Sequence, residues 1–567
     1  MKTLLSFFAI SMMISFSYAQ HSYNVVNSED VRKMFRPVTS DNNGNVIITG
    51  QFETTLTLGN ITLTSSSPYT GGYNTGFVAK KLPDDSYAWA KMITPLYVSG
   101  GLSLANIYGV NADAAGNVYL TGSFIGKISF ANNITLTSSK SGPDYTYDIY
   151  TAKISAEGVV QWARSAGTAN DGCNAGESGQ SVTTDNAGNV YTTGNIVCKV
   201  FKNTTVCNEI NTPGCMSATS KSITCPYVVK YSAAGVKIWE RKFVNSGALA
   251  STSCWYNHPG GDNISTDGTY IYVSGYFYGT VDFGTGPLST GSESTGNTFL
   301  LKLNSSGSAI WAKLVTGASN NPFGVGNDLL VDGNDIYISG IGNNISFGEC
   351  SLSSGGPPAY LARYTSTGIC QWVINPLGIC YGMVKHPNGN LASLVRRGGN
   401  NPMRFDVKEF SPIDGSAVDS TVTTFDDPIT VSVWGYPSFA KLPGGYIFSH
   451  HLQGTMHLGN LTITSDGSYD NMILVRYIAP QARKGGSVSG VLSSNIILYP
   501  NPASELLTIR DNENSMLGDV IIYDALGQVL LRKSVNASKA VIDVGNLSAG
   551  VFYVRCRQSA AMRFIKN

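Results

Sequence analysis

DAAGNVYLTGSF (residues 113–124) reads as a tight turn followed by a strand, and the same stretch returns in altered form along the chain. Its relatives are DNNGNVIITGQF (41–52), DNAGNVYTTGNI (185–196), TDGTYIYVSGYF (266–277) and DGNDIYISGIGN (332–343). Aligned on the turn glycine, the copies are seven: Gly44, Gly116, Gly188, Gly268, Gly333, Gly389 and Gly444. Such a fixed self-similarity decides the fold class before any single residue is read. Asn-Gly and Gly-Asn tolerate the positive φ of tight hairpins, so a strand such as YGVNAD turns through AAGN into VYLTGSF.

A second landmark follows in each copy, an apolar strand, a further turn and then a tryptophan. YTAKISAEGVVQWAR (150–164), YVVKYSAAGVKIWER (227–241), FLLKLNSSGSAIWAK (299–313) and YLARYTSTGICQWV (360–373) place Trp four residues after the turn Gly. Copy one keeps Trp89 but carries Asp85 in place of the glycine, and copy six keeps Gly415 but carries Asp419 in place of Trp. Each copy therefore contains four short strands, and the recurring indole is expected to pack between neighbouring sheets. One such sheet cannot bury both faces, so copies must stack. Radial repetition of four-stranded sheets makes the expected architecture of residues 20–480 a seven-bladed β-propeller in an all-β chain. The seventh copy ends at NMILVRYIAP (471–480) without a fourth strand, and HSYNVV (21–26) is expected to supply it and close the ring.

The chain opens with Lys2, an apolar stretch and Ser17-Tyr18-Ala19, the pattern of a secretory signal peptide over residues 1–19. No later stretch is long and apolar enough for a membrane-spanning helix. Charged residues are 13% of the chain, with 38 Lys and Arg against 37 Asp and Glu. That balance leaves no electrostatic footprint for nucleic acid. The motif of hairpins such as LTLGNITLTSS (56–66), ISFANNITLTSS (128–139), ISFGECSLSS (345–354) and MHLGNLTITSD (456–466) followed by Lys and Trp landmarks resembles the SBBP-like bacterial β-propeller repeat family. The resemblance spans about residues 36–480 and implies architecture without shared catalytic residues.

APQARKGGSVSGVLSS has a linker composition, placing a linker at 481–494. ILYPNPASELLTI, VIIYDALGQVLL and VIDVGNLSAGVFYVRC alternate as the strands of a small Ig-like β-sandwich over residues 495–567. Pro500, Asn501 and Pro502 would fix the chain's entry, and Gly527 and Gly550 are expected at positive-φ turns. YPNPA, IYDALGQ, LSAGVFY and the basic-apolar end MRFIKN together resemble the type A C-terminal sorting domain of type IX secretion. Pro500, Asn501, Pro502, Gly527, Gly550, Tyr553, Phe564 and Lys566 match that family's pattern. The resemblance implies a Gram-negative bacterium, the type IX secretion machinery as partner, and a protein secreted or attached to the outer cell surface.

Ten cysteines in an exported chain suggest disulfides. Cys173, Cys198, Cys207, Cys215, Cys225 and Cys254 surround copy three, Cys350, Cys370 and Cys380 surround copy five, and Cys556 lies in the C-terminal module. Sequence does not choose among their pairings. The turns joining first to second and third to fourth strands are short, so the long connections gather on the opposite face, where binding usually resides. There SCWYNHPGGD (253–262) offers Trp255, Tyr256 and His258 for stacking on a sugar ring or peptide. His450, His451 and His457 are not spaced as one metal site, and no nucleophile, zinc-protease or phosphate-loop motif occurs. No metal or cofactor is expected. The leading expectation is a non-catalytic propeller that binds a glycan or protein. Its rivals are a hydrolase or lyase with carboxylates at the channel mouth and a structural surface-layer component.

Overall fold

The computed structural model describes residues 22–26, 37–67, 75–99, 102–130, 134–139, 146–168, 176–202, 220–244, 260–291, 296–318, 328–353, 358–386, 389–397, 403–419, 425–427, 438–443, 445–452, 455–458, 461–464, 471–478, 496–511, 516–524, 529–556 and 562–567. Secondary structure among them is all β, in two compact units, residues 1–479 and 480–567.

The first unit repeats an antiparallel ladder of four strands. The second copy is typical, with Leu104–Ala112, Val118–Ile125, Asp148–Ile154 and Val160–Ala166 paired in that order. The turn Asp113 to Asn117 folds as it does because the carboxylate accepts bonds from within the turn. Asp113 Oδ1 takes the Ala115 and Asn117 amides at 3.0 and 2.9 Å, and Oδ2 takes the Asn117 side chain at 2.8 Å. Tyr119 Oη donates to the same Oδ2 at 2.8 Å, tying the turn to its strand. Gly116 sits at φ +81°, where a side chain is strained. Asp185, Asn189 and Tyr191 repeat this set in copy three.

The recurring tryptophan joins each sheet to the next. Trp89 Nε1 donates to Ala156 O (2.9 Å), Trp162 to Ala233 O (3.0 Å), Trp239 to Ser305 O (3.0 Å), Trp311 to Ser366 O (3.2 Å) and Trp372 to Pro412 O (3.2 Å). Each acceptor lies in the third-to-fourth-strand turn of the following copy. A Cβ on that turn's glycine would stand 2.7 Å from the Trp89 ring at Gly158, 2.6 Å from Trp162 at Gly235, and 3.0, 3.0 and 2.8 Å from Trp239, Trp311 and Trp372 at Gly307, Gly368 and Gly415. Those five glycines all have positive φ.

The hairpin between second and third strands does something the sequence did not disclose. In copy two Lys127–Phe130 pairs over four residues with Tyr87–Leu96, the outer strand of copy one. The end of Asp335–Ser346 does the same to Ala309–Ala318. Edge strands are thereby covered by the following copy.

The seventh sheet is assembled from both ends of the unit. Ser438–Leu442, Gly445–Leu452 and Asn471–Ile478 are completed by Ser22–Val26, with Ser22 opposite Arg476 and Val26 opposite Met472. The expected fourth strand is thus supplied by residues 22–26. The first strands of successive sheets touch one another from the first sheet to the seventh, and that of the seventh touches that of the first. There Val38 N donates to Ser438 Oγ at 3.0 Å, and Val46, Ile48, Ala440, Leu442 and Ile447 share one core cluster.

The second unit holds a three-stranded sheet (Ile496–Tyr499, Leu506–Asp511, Lys539–Asp543) and a four-stranded one (Val529–Val535, Gly518–Asp524, Gly550–Cys556, Met562–Lys566). Leu507, Ile509 and Ile542 of the one meet Val520, Ile522, Val554 and Phe564 of the other in a single core. Gly550 departs from expectation: it opens a strand, opposite Lys566, instead of occupying a positive-φ turn.

Gly235→Ala should lower the urea midpoint more than Gly188→Ala. Both positions have φ +76°, so the backbone strain is shared. The added methyl meets Ala233 Cβ at 3.3 Å in one case and the Trp162 ring at 2.6 Å in the other. The overpacked site should cost about 1–3 kcal/mol more, and Trp162→Ala in the Gly235→Ala background should cancel that excess in a double-mutant cycle. Deleting residues 21–28 should lower the melting temperature sharply; an unchanged value would mean that strand 22–26 does not hold the seventh sheet.

Candidate functional site

Connections of very different length separate the second from the third strand and each sheet from the next, and antiparallel pairing puts both kinds at one end of the sheets. Trp255, Tyr256 and His258 fall in one of them, outside the described residues; Cys173, Cys207, Cys215, Cys254 and, in the second unit, Gly527 also lie outside the described residues. Cys198 lies in the strand Val190–Lys202, and Cys225, in the strand paired to it, is buried and disulfide-bonded. Cys350 and Cys370 form a disulfide with Cα atoms 5.9 Å apart. Cys380, expected as a disulfide candidate, is a free buried thiol, and Cys556 is buried in the core of the second unit. Cys380 is on the first strand of the sixth sheet, opposite Val395, and burial pushes its thiol up to about 12.

That sixth sheet departs from the first five in its interior. In copies one to five a glycine of the second strand faces an aromatic residue of the third: Gly50 and Phe77, Gly122 and Tyr150, Gly194 and Tyr227, Gly275 and Phe299, Gly340 and Tyr360. In copy six the pair is Val395 and Asp406. Two residues on, apolar pairs such as Leu120 and Ala152 give way to Ser393 and Lys408. Asp406 is wholly buried and Lys408 nearly so. Lys408 Nζ donates to Pro376 O at 2.6 Å, Ser393 Oγ to Gly382 O at 2.8 Å, and an Arg396 guanidinium N–H to Tyr381 Oη at 3.4 Å. Asp328, at the start of the neighbouring first strand, has its carboxyl enclosed although the residue as a whole is partly accessible. Burial pushes it up to about 6 against the amides of Leu329 and Met383, which hold the charged form. Asp328 and Lys408 act on Cys380 in opposite senses, the carboxylate raising and the ammonium lowering its pKa. Buried ionisable groups arranged in this way mark functional sites more often than ordinary core does. No sequence motif announced them, because the substitution is visible only once the strand register is known.

A second pair of buried carboxylates lies by the connection between the second and third sheets. Asp148 accepts from Ser139 N at 2.7 Å and Ser139 Oγ at 2.8 Å. Glu177 accepts from Thr168 Oγ1 at 2.6 Å and from the Val197 and Thr168 amides at 2.8 and 3.1 Å. Burial pushes Asp148 up to about 6 and Glu177 up to about 7, the latter with a smaller push from the Asp148 charge. Among the described residues no group of three or more His, Cys, Asp or Glu is placed to hold a metal ion.

In the second unit the two ends of the sorting motif meet. Asn501 Oδ1 accepts the Ile565 amide at 2.9 Å, Ala503 N donates to Ile565 O at 2.8 Å, and Asn567 N returns to Ala503 O at 2.9 Å. Pro500 and Pro502 flank Asn501, both after cis peptide bonds. Phe564 is fully buried and stacks on Phe552, Tyr553 stacks on Tyr523, and Lys566 Nζ donates to Asn567 O at 2.6 Å.

Residues 497–566 match the family described as the secretion system C-terminal sorting domain. No curated protein sequence matches the chain. Among solved structures the chain is similar to the polysaccharide lyase Uly1 (10% identity, 83% of this chain and 95% of that one, TM-score 0.37). It is similar also to the NanB sialidase of Streptococcus pneumoniae (10%, 80% and 70%, TM-score 0.36). A third is PorZ, a surface component of the type IX secretion system of Porphyromonas gingivalis (12%, 95% and 82%, TM-score 0.20). The sorting domain is that of type IX secretion in Bacteroidetes, and it sends the protein to the cell surface or the medium.

Glu177 should make the fold pH-dependent. A carboxyl whose pKa is higher folded than unfolded contributes stability that is complete below the unfolded value, 4.5, and is lost as pH rises through about 7. The unfolding free energy should therefore increase as pH falls from about 8 to about 5, and Glu177→Gln should flatten that slope in urea titrations. A slope unchanged by the substitution would show that its burial carries no such cost.

Proposed function

We propose that the seven sheets are the blades of a closed β-propeller of the SBBP-like kind. Carried outside the cell by its sorting domain, it binds a glycan or protein through the face that bears the long connections. The observation that carries this reading is the segregation of the connections: the turns joining first to second and third to fourth strands are all short, and every long connection falls at the other end of the sheets. A rigid frame with variable loops on one face is the usual construction of a binding module.

The chain ends support the same assignment. Ser22 faces Arg476 and the third strand of the seventh sheet ends at Ile478. In the seventh sheet, then, the two termini of the first unit replace a third-to-fourth-strand turn, on the short-turn face.

A second reading is favoured by one observation. The enclosed carboxyl of Asp328, held by the Met383 amide of the next sheet, and the bonded pair Arg396 and Tyr381 both belong to the long-connection end of the fifth and sixth sheets, which suits a hydrolase or lyase site at the mouth of a central channel.

A glycan and protein binding screen of the full chain separates the two. Binding should be found with the wild-type protein and be lost in Trp255→Ala and Tyr256→Ala. Equal binding by those variants would remove their loop from the site. Turnover of a polysaccharide that disappears in Asp328→Asn while binding persists would establish the second reading instead.

A further inference from the structure

We propose that the first unit holds its ligand in the middle of the ring, on the inner strands of the second, third and fourth sheets, and that the ligand is an uncharged sugar. This rests on the closed-ring, ligand-binding reading above, for which it names the site and the class of ligand.

The first strands are innermost, since they touch one another around the unit. Three of them share one irregularity. Strands Leu104–Ala112, Ser178–Thr184 and Gly260–Thr266 each carry one residue more than their partners, Tyr108, Gln180 and Asp262, and resume pairing beyond it. Each extra residue follows the partner of a second-strand glycine: Ile107 faces Gly122, Gly179 faces Gly194 and Gly261 faces Gly275.

Those glycines make room for the bulge. The chain ahead of it is drawn in so closely that a Cβ on Gly122 would stand 1.9 Å from Asn106 O. On Gly194 it would stand 1.9 Å from Ser178 O, and on Gly275 2.1 Å from Gly260 O. No side chain fits there. The sixth sheet gives the contrast within the same chain: it has Val395 in place of the glycine, and its bulge is moved one register step along, to Gly382. The glycine in LTGSF, TTGNI and VSGYF therefore serves to hold one residue out of the ladder, and that residue differs from copy to copy.

Ile107, Gly179 and Gly261 are buried, whereas Tyr108, Gln180 and Asp262 are partly accessible. Their strands are seated tightly on the neighbouring sheets. A Cβ on Gly109 would stand 2.8 Å from Gln180 O, and one on Gly179 or Gly261 2.0 Å from Thr121 Oγ1 or Thr193 Oγ1 of the preceding sheet. The surface that the three bulged residues leave accessible thus belongs to the channel. All three lie within five residues of the strand start, the long-connection end, so the site is continuous with the face that bears the long loops.

The chemistry is that of sugar recognition. Tyr108 offers an aromatic ring for the C–H face of a pyranose, and Gln180 and Asp262 offer planar groups that take neighbouring hydroxyls in pairs. Gln180 gives one N–H to Ser178 Oγ at 2.7 Å, leaving its carbonyl and second N–H for a ligand. Amides and hydroxyls surround them: Asn106 Nδ2 donates to Ser123 Oγ at 3.3 Å, and Ser123 Oγ to Tyr108 Oη at 3.4 Å. A lining of neutral groups and one carboxylate disfavours an anionic sugar.

Titration calorimetry on the full chain tests the proposal with cellohexaose, maltohexaose, mannohexaose and, as the anionic probe, hexagalacturonate. At least one neutral probe should bind. Tyr108→Leu and Gln180→Leu should each weaken it about tenfold, and Gln161→Leu, on an outer strand, should not change it. Hydrogen exchange of the wild-type protein locates the site without any variant. Bound sugar should protect peptides covering 104–112, 178–184 and 260–266 and leave 160–166 unchanged. Protection confined to peptides within 245–259, or full binding by both folded variants, would overturn the channel site and leave a propeller that binds through its loops. Binding of hexagalacturonate alone, or of no saccharide, would overturn the ligand class. A wild-type protein that captured neither saccharide nor protein would instead overturn the binding reading itself.

Discussion

The contact on which the repeated part of this protein depends is an indole seated on a glycine of the next sheet. It is reciprocal. The tryptophan needs the glycine, because a Cβ there would lie 2.6–3.0 Å from the ring, and the turn needs the tryptophan to cover its backbone and take up a carbonyl. The arginine two residues on reinforces the contact: Arg164 Nε donates to Gly235 O at 2.7 Å and Arg241 Nε to Gly307 O at 3.0 Å. A tryptophan and an acceptor carbonyl 40 to 71 positions apart are thus bound into one motif, which explains why both recur together. It also explains where they stop. Copy six has no turn ahead of it, and position 419 is Asp; copy one has no indole behind it, and position 85 is Asp. Both absences fall at the sheets that adjoin the seventh, where strand Ser22–Val26 stands in for a fourth strand.

The short-turn face is rigid for a related reason. Asp41, Asp113 and Asp185 each take two backbone amides and an asparagine side chain. Those bonds outweigh burial, itself the largest single influence, and hold all three carboxyls below the usual range. Lysines of the third strands reach across to the following turns: Lys230 Nζ donates to Ser305 O at 3.3 Å and Lys302 Nζ to Ser366 O at 2.8 Å. With that face committed to joining sheets, variation in length is tolerated only at the other end.

Much of this was legible in the sequence, because each rule involved is local. The turn aspartate and glycine lie within five residues, strand alternation has a period of two, and the missing fourth strand of copy seven could be counted. The partner of the tryptophan was not legible, nor was the pairing of a hairpin with the preceding sheet, since both join residues in different copies. Cys380 was grouped with Cys350 and Cys370 by proximity along the chain; in the fold it turns into the interior of the sixth sheet while the other two bond to each other. Gly550 was read as a turn because glycines usually are, yet the strand begins at that residue.

The sixth sheet's interior is the place where no rule of assembly accounts for the residues. Burying a carboxylate and an ammonium in place of aromatic and aliphatic side chains is unfavourable, and removal of one member of such a set typically costs about 3–5 kcal/mol. Five other sheets show that the fold is built without it: Gly faces an aromatic ring and the strands close up. Nor do the chain ends demand it, since Asp406 and Lys408 lie within an unbroken ladder, opposite Val395 and Ser393. A repeat that departs from its own pattern at the ends is obeying its topology. One that does so inside a complete sheet has no such topological cause.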